Sequence, residues 1–373
     1  MRASFNQSEM VKGLQRVMGV VPTKMPMPAL SNIHLRLDGG ALELIATDLE
    51  VTVTSKVKVL EAEGKGGVLI PAKRFSDLMR ELPDVPLDLS MQDPQKVILK
   101  GAETGVFDLP SGDPIDFPEL PKVEAKLKFG ILAESLKRMI NKTTLSISKD
   151  EMRPILTGFL IQLRPNEIRL VTTDGHRLSR ISRRDVEYKG EAHDAVVPAK
   201  AFNQLLRNLE DSQQTHIAVA DTRASFAADD YRLTTRLIEG NYPKYESVIP
   251  QNNPNRLTVR TSDFMTAVRQ AAIFASQISR QVKLTLGKSE MKLETEDPEL
   301  GGRAEVGVAV DYTGEPMEIA YNAGYLMDVL RLIDTDEVTF EMGGTNDAAL
   351  VKPSSQPEDE EFFMLLMPIR LRG

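Results

Sequence analysis

Three stretches of this 373-residue chain carry the same succession of patterns in the same order. An internal repeat of this kind requires a fold built from copies of one unit. An alternating strand pattern appears at Ile33-His34-Leu35-Arg36-Leu37, then at Phe159-Leu160-Ile161-Gln162-Leu163 and at Val282-Lys283-Leu284-Thr285-Leu286, offset by 126 and 123 residues. At the same offsets, strands ending on an acid run from Leu42 to Asp48, Ile168 to Asp174 and Met291 to Asp297. Alternation of this kind predicts half-buried strands. Ile70-Pro71-Ala72-Lys73-Arg74-Phe75 returns as Val197-Pro198-Ala199-Lys200-Ala201-Phe202 and, weakly, as Tyr321-Asn322-Ala323-Gly324-Tyr325-Leu326. Proline at the first helical position and apolar residues three to four apart predict a short amphipathic helix at each. Another helix opens each unit, on Met10, Leu14 and Val17, on Leu132, Leu136 and Ile140, and on Phe264, Val268 and Ala272.

Two helices among a majority of strands make each unit α+β. Segments rich in proline and glycine, Leu109 to Pro118 and Glu239 to Tyr245, divide the units, and each contains an aromatic-Pro pair. These read as linkers or edge strands. The limits are placed at 1–122, 123–252 and 253–373. The segment from Pro353 to Glu361 reads as a mobile acidic loop with Glu360 and Glu361 in solvent, followed by a strand from Phe363 to Met367.

Chemistry concentrates in Thr173-Asp174-Gly175-His176-Arg177-Leu178. An Asp beside a His can orient a general base, which opens a hydrolase reading. The acid, however, recurs at Asp48 and Asp297, which marks it as part of the repeat's own turn, whereas Gly175, His176 and Arg177 are peculiar to the middle copy. That distribution favours recognition over catalysis. With no Cys there is no thiolate nucleophile, and four scattered His show no ligand spacing, so neither a metal nor a cofactor is expected. No phosphate loop, dinucleotide fingerprint or nucleophile elbow is present.

The chain carries a net charge of −8, which by itself argues against a nucleic-acid partner. The distribution is uneven. The six candidate helices (9–20, 72–82, 133–143, 199–211, 262–274 and 323–334) together carry +3, which leaves −11 of the total −8 for everything else. Mildly basic helices suit sequence-blind contact with a polyanion. The first residues lack the apolar core of a signal peptide, and the longest apolar run falls far short of a membrane span, so a cytoplasmic location is expected. From the residues alone, a scaffold on a polyanion, a repeat adaptor for peptides or small ligands, and a hydrolase using Asp174 and His176 all remain open.

The Ala-Thr-Asp48-Leu-Glu turn, Thr-Asp174-Gly-His-Arg-Leu178, the two Pro-Ala-Lys helices and the ending Met367-Pro368-Ile369-Arg370-Leu371 together resemble the bacterial DNA polymerase III beta subunit family, the replicative sliding clamps. The resemblance covers essentially the whole chain. It implies three tandem clamp domains, a head-to-tail homodimer forming a six-domain ring with helices inside and sheets outside, and a non-enzymatic scaffold. Such a ring encircles double-stranded DNA without reading its sequence. It tethers the replicative polymerase, the clamp loader, and other polymerases and repair proteins through short Leu- and Phe-bearing peptides.

The resemblance assigns the partner pocket to Arg153, Leu156, Thr173, Gly175, His176, Arg177, Leu178, Pro243, Val248, Met367, Pro368, Ile369, Arg370 and Leu371, with Asn322 and Tyr325 at its edge. Lys24, Lys73, Lys200 and Arg207 would face DNA, and Ile273 and Phe274 would meet the partner's first domain near Val106 and Phe107. Two departures touch the pocket. Ser247 stands where relatives often carry Arg, and Arg372-Gly373 follow the usual terminal Leu.

Overall fold

The structure is a computed structural model that describes every residue except Met25, Pro26, Pro94, Gln95, Glu103, Lys189, Glu299, Leu300, Arg372 and Gly373. The extra Arg372 and Gly373 therefore lie outside the described residues. The chain folds as two compact units, Met1–Lys137 with Lys200–Leu237, and Arg138–Ala199 with Ile238–Gly373. Six α-helices are described: α1 (Gln7–Met18), α2 (Ala72–Glu81), α3 (Ala133–Thr143), α4 (Ala199–Asn208), α5 (Thr261–Ala272) and α6 (Ala323–Arg331). The division between units runs through the middle repeat, because each half of that repeat's β-structure is hydrogen-bonded into a neighbour's.

In the first unit a five-stranded sheet runs in the order Val59–Glu63, Arg2–Asn6, Pro86–Asp93, Lys96–Gly101, Gly105–Pro110. An eight-stranded sheet joins two repeats where Tyr231–Arg236 pairs antiparallel with Val51–Val57. In the second unit the corresponding join, Arg177–Arg183 with Glu360–Leu366, makes one sheet of twelve strands. The repeat is exact in register. Leu35 faces Leu44, Ile161 faces Leu170 and Leu284 faces Leu293, so the same side chains of each copy point to the same face. Helix faces follow the apolar spacing, with Met10, Leu14 and Val17 of α1, Leu136 and Ile140 of α3, and Phe264 and Val268 of α5 all buried.

Four expectations are corrected. Pro71 and Pro198 end strands, and α2 and α4 begin at the following Ala, so neither proline is the first helical residue. Leu132 is the last residue of the strand preceding α3 and is 51% exposed, so it is no part of the helix core. Phe159–Leu163 is buried at every position, because Ile238, Tyr242, Tyr245 and Ile249 cover its second face and the Tyr245 hydroxyl donates to Gln162 Oε1 at 2.6 Å. Finally, Glu360 opens the last strand with its side chain only 1% exposed, gripped by Arg138 Nε and Nη2 at 2.7 Å each and by Arg183 Nη1 at 3.2 Å. A carboxylate at that position needs such partners, since burial alone would make its charge costly.

Candidate functional site

The hairpin turn at Thr173–Arg177 is built by its own side chains. Asp174 Oδ1 accepts from the backbone N–H of His176 at 2.9 Å and of Arg177 at 3.0 Å, while Thr173 Oγ1 donates to the Arg177 carbonyl at 2.7 Å. Gly175 sits at φ +91°, which a glycine adopts without a side-chain clash. The first repeat makes the same turn. Asp48 Oδ1 accepts from the N–H of Glu50 and Val51 at 3.0 and 2.7 Å, and Thr47 Oγ1 donates to the Val51 carbonyl at 3.0 Å.

Asp174 spends its second oxygen on Arg177 Nε at 3.1 Å, not on the His176 imidazole. The His176 ring instead stacks on Tyr325, centroids 6.2 Å apart. The acid–base pair of the hydrolase reading is therefore not assembled, since no carboxylate holds the imidazole. What the turn does hold is Arg177. Its guanidinium is fixed by Asp174, by Asp328 Oδ2 at 2.6 Å and by the Tyr325 face at 4.5 Å. Burial raises the pKa of the Tyr325 hydroxyl.

Around this turn the structure gathers most of the expected pocket. Leu178 packs with Val171, Leu350 and Leu365, flanked by Ile155 and Tyr242. Arg153 reaches the Asp174 carbonyl at 3.5 Å, and Leu156 is buried beside it in the chain. The Met367 N–H donates to the His176 carbonyl at 2.9 Å, and the Met367 side chain is 43% exposed. Pro243 and Val248 are exposed on the segment that carries the core residue Tyr245. Asn322 caps α6, its Oδ1 accepting from Gly324 and Tyr325 N–H.

The tail then leaves the turn. Past Pro368, Ile369 bridges to Ala320 with N–H to carbonyl 2.7 Å, and Ile369, Arg370 and Leu371 line a separate cleft with Ser279, Lys283 and Glu296. Ser247 is occupied locally, donating to the Lys244 carbonyl. Asp328 and Asp150, which hold Arg177 and Arg153, were not among the expected residues. Asp150 lies three positions from its arginine and so was legible, whereas nothing in sequence links Asp328 to a residue so distant in the chain.

The cations sort differently from expectation. Lys24, Lys73 and Arg207 are exposed, but Lys200 is ion-paired to Asp48, the acid of the first-repeat turn. The positive count of residues 133–143 is likewise spent internally, Lys137 on Asp211, Arg138 on Glu360 and Lys142 on Asp334. Arg74 and Arg80 on α2 and Arg269 on α5 are exposed with no described carboxylate in ion-pair range, and they were missed because net charge does not record pairing.

Val106 is 62% exposed on the edge strand of the five-stranded sheet, with Phe107 beside it. In the second unit Ile273 is 78% exposed at the end of α5, followed by the exposed Phe274. Among the described residues no cluster of His, Asp or Glu suits a metal, and no helix is long and apolar enough to cross a membrane.

Tandem α+β repeats with sheets continuing from one copy into the next, and exposed helix cations with no described carboxylate in range, fit the architecture of the DNA-clamp class. Three family models cover the chain: the N-terminal domain of the DNA polymerase III beta subunit matches residues 1–121, the central domain 131–244 and the C-terminal domain 246–370. The chain belongs to the DNA polymerase III beta subunit family, and it is a DNA sliding clamp.

It is 30% identical to the beta sliding clamp of Pseudomonas aeruginosa over 373 residues, covering all of both chains, and 26% identical to that of Bacillus subtilis over 381 residues, covering 99% of this chain and 100% of the relative. A crystal structure of the P. aeruginosa beta subunit superposes with a TM-score of 0.93 over the full length of both. A Bartonella birtlesii clamp solved with griselimycin bound, 31% identical, gives 0.90 with the same full coverage of both chains.

Proposed function

We propose that the protein acts as a closed homodimer of three clamp domains per chain (1–122, 123–252 and 253–373) that encircles duplex DNA and holds DNA polymerases to it, with no active site of its own. Phosphate contact falls to Lys24, Lys73 and Arg207 together with Arg74 and Arg80, all exposed side chains able to meet a backbone without reading bases. Lys200, tied to Asp48, contributes less. Val106 and Phe107 of one protomer meet Ile273 and Phe274 of its partner, and two such contacts close the ring.

The turn at Thr173–Arg177, with Leu156, Leu178, Met367 and Tyr325, forms the pocket for a partner's Leu- and Phe-bearing peptide. The observation that carries this is the fixing of Arg177 by Asp174, Asp328 and Tyr325 beside the apolar Leu178 cluster, a pre-set polar wall next to an apolar floor. A cytoplasmic site of action follows from that role.

Encirclement is tested by loading the protein with its loader onto nicked circular and onto linear DNA. Persistence on circles with loss from linear ends is expected, and equal retention on both refutes the ring. For the pocket, deleting Met367 to Gly373 abolishes binding of a polymerase C-terminal peptide while sedimentation still reports a dimer. Undiminished peptide affinity removes the assignment.

A further inference from the structure

The junction between the first and second repeats reproduces, bond for bond, the backbone frame of the pocket just described. The Arg236 N–H donates to the Glu50 carbonyl at 2.9 Å, as Met367 N–H does to His176, and Thr235 faces Val51 as Leu366 faces Arg177. Leu49 takes the place of Gly175 with φ +77°, its N–H donating to Thr47 Oγ1 at 3.0 Å as Gly175 N–H does to Thr173 Oγ1 at 3.1 Å. Beneath the frame, Ile45, Leu69 and Phe117 pack where the other junction has Val171, Val196 and Tyr242.

The side chains facing the cleft are another matter. Thr52 stands for Leu178 and Arg236 for Met367, so the cleft is less apolar, although Leu49, Pro118, Leu120 and Pro121 remain in its lining. The cleft, about 180 Å³, is lined by four buried threonines, of which Thr47, Thr52 and Thr235 spend their hydroxyls inside the frame, and by Arg223 and Arg236, neither with a described carboxylate in ion-pair range, although Glu50 and Glu119 lie at its wall. It adjoins, through Pro121 and Thr234, a second cleft lined by Lys122, Lys128 and Arg232, again with no described carboxylate in ion-pair range. In a chain of net charge −8, five neighbouring cations with no ion pair among the described residues stand against composition.

We propose that this junction is a second docking site, for an extended acidic peptide segment of a partner protein. The site rests on the reading of its counterpart as a peptide pocket. Duplex DNA does not suit it, since a concavity of this size admits side chains, not a helix face. Guanidinium groups recognise carboxylates by charge-assisted hydrogen bonds, and Arg223 and Arg236 can each take one bidentate.

The test is fluorescence polarisation at low ionic strength with two labelled probes, a short Asp/Glu-rich peptide and a Leu/Phe polymerase peptide. Arg223→Glu with Arg236→Glu is expected to weaken the acidic probe by at least about tenfold and leave the Leu/Phe probe unchanged, with an unaltered thermal melting curve reporting an intact fold. Arg223→Gln with Arg236→Gln serves if charge reversal impairs folding. Deleting Met367 to Gly373 gives the converse, so the two sites fail independently. The proposal is overturned if the wild type shows no saturable binding of the acidic probe, or if Lys73→Glu with Arg80→Glu weakens it as much. Loss of retention on circular DNA in the Arg223/Arg236 variant also overturns it.

Discussion

His34 lies with its ring 5.3 Å from that of Phe117, its Nδ1 buried without a hydrogen-bond partner. Burial, helped by the Arg36 charge, lowers its pKa from 6.5 to about 4. A depressed folded-state pKa means that the unfolded chain binds the proton first, so the stability this neutral ring contributes is present above pH 6.5 and is lost as pH falls toward 4. Relative to His34→Leu, the wild type is expected to lose on the order of 2 kcal/mol across that window, read as a pH-dependent difference in melting temperature. A constant difference between the two would refute the effect. Single residues also separate fold from function. Asp48 and Asp174 close the same turn, while Leu49 and Val51 of the first copy give way to Gly175 and Arg177 in the second, so one frame carries two different surfaces.

Among the elements, the strand Glu360–Leu366 couples most of the second unit. It pairs with Arg177–Arg183 on one side and Ala349–Pro353 on the other, and its first residue is the buried hub of Arg138 and Arg183, with Asp334 bridging Arg138 and Lys142. Against the upward push of burial, Arg138 and Arg183 hold the Glu360 carboxyl, and Arg138 and Lys142 the Asp334 carboxyl, below the usual pKa range. Glu360→Gln removes the buried carboxylate that Arg138 and Arg183 share, while Arg138 keeps Asp334 and Arg183 keeps Asp185 and Asp359, so the expected cost is about 1–3 kcal/mol in chemical denaturation. Replacing Glu360, Arg138 and Arg183 together by apolar residues of like volume is expected to cost less than the single change; the reverse order would show that the hub adds net stability that packing cannot replace. Stability from the Glu360 hub is present at neutral pH and erodes as pH falls below 4.5, as the carboxylate takes up its proton.

For the whole molecule the expected behaviour is topological. A protein held to DNA only by phosphate contacts loses affinity steeply between about 50 and 200 mM salt, through counterion uptake. A closed ring on a circle is held by its own covalent and interface continuity. Its half-life on nicked circles is therefore expected to change little over that range. Substituting Lys73, Arg74 and Arg80 by Glu should slow loading without shortening the life of rings already loaded. A steep salt dependence on circles would mark an ordinary DNA-binding protein.

Periodicity and repetition are local properties, and so the sequence by itself determined the three α+β copies, the strand-end acids, the helix faces and the singularity of Gly175-His176-Arg177. Pairing is not local. Only the tertiary structure decided that Glu360 is buried, that Lys200 and α3 spend their charge internally, that Asp328 fixes Arg177, and that Arg236 occupies the place of Met367. A side chain's partner across a sheet or between repeats is set by register and packing between distant segments, and net charge or spacing along the chain carries no record of it.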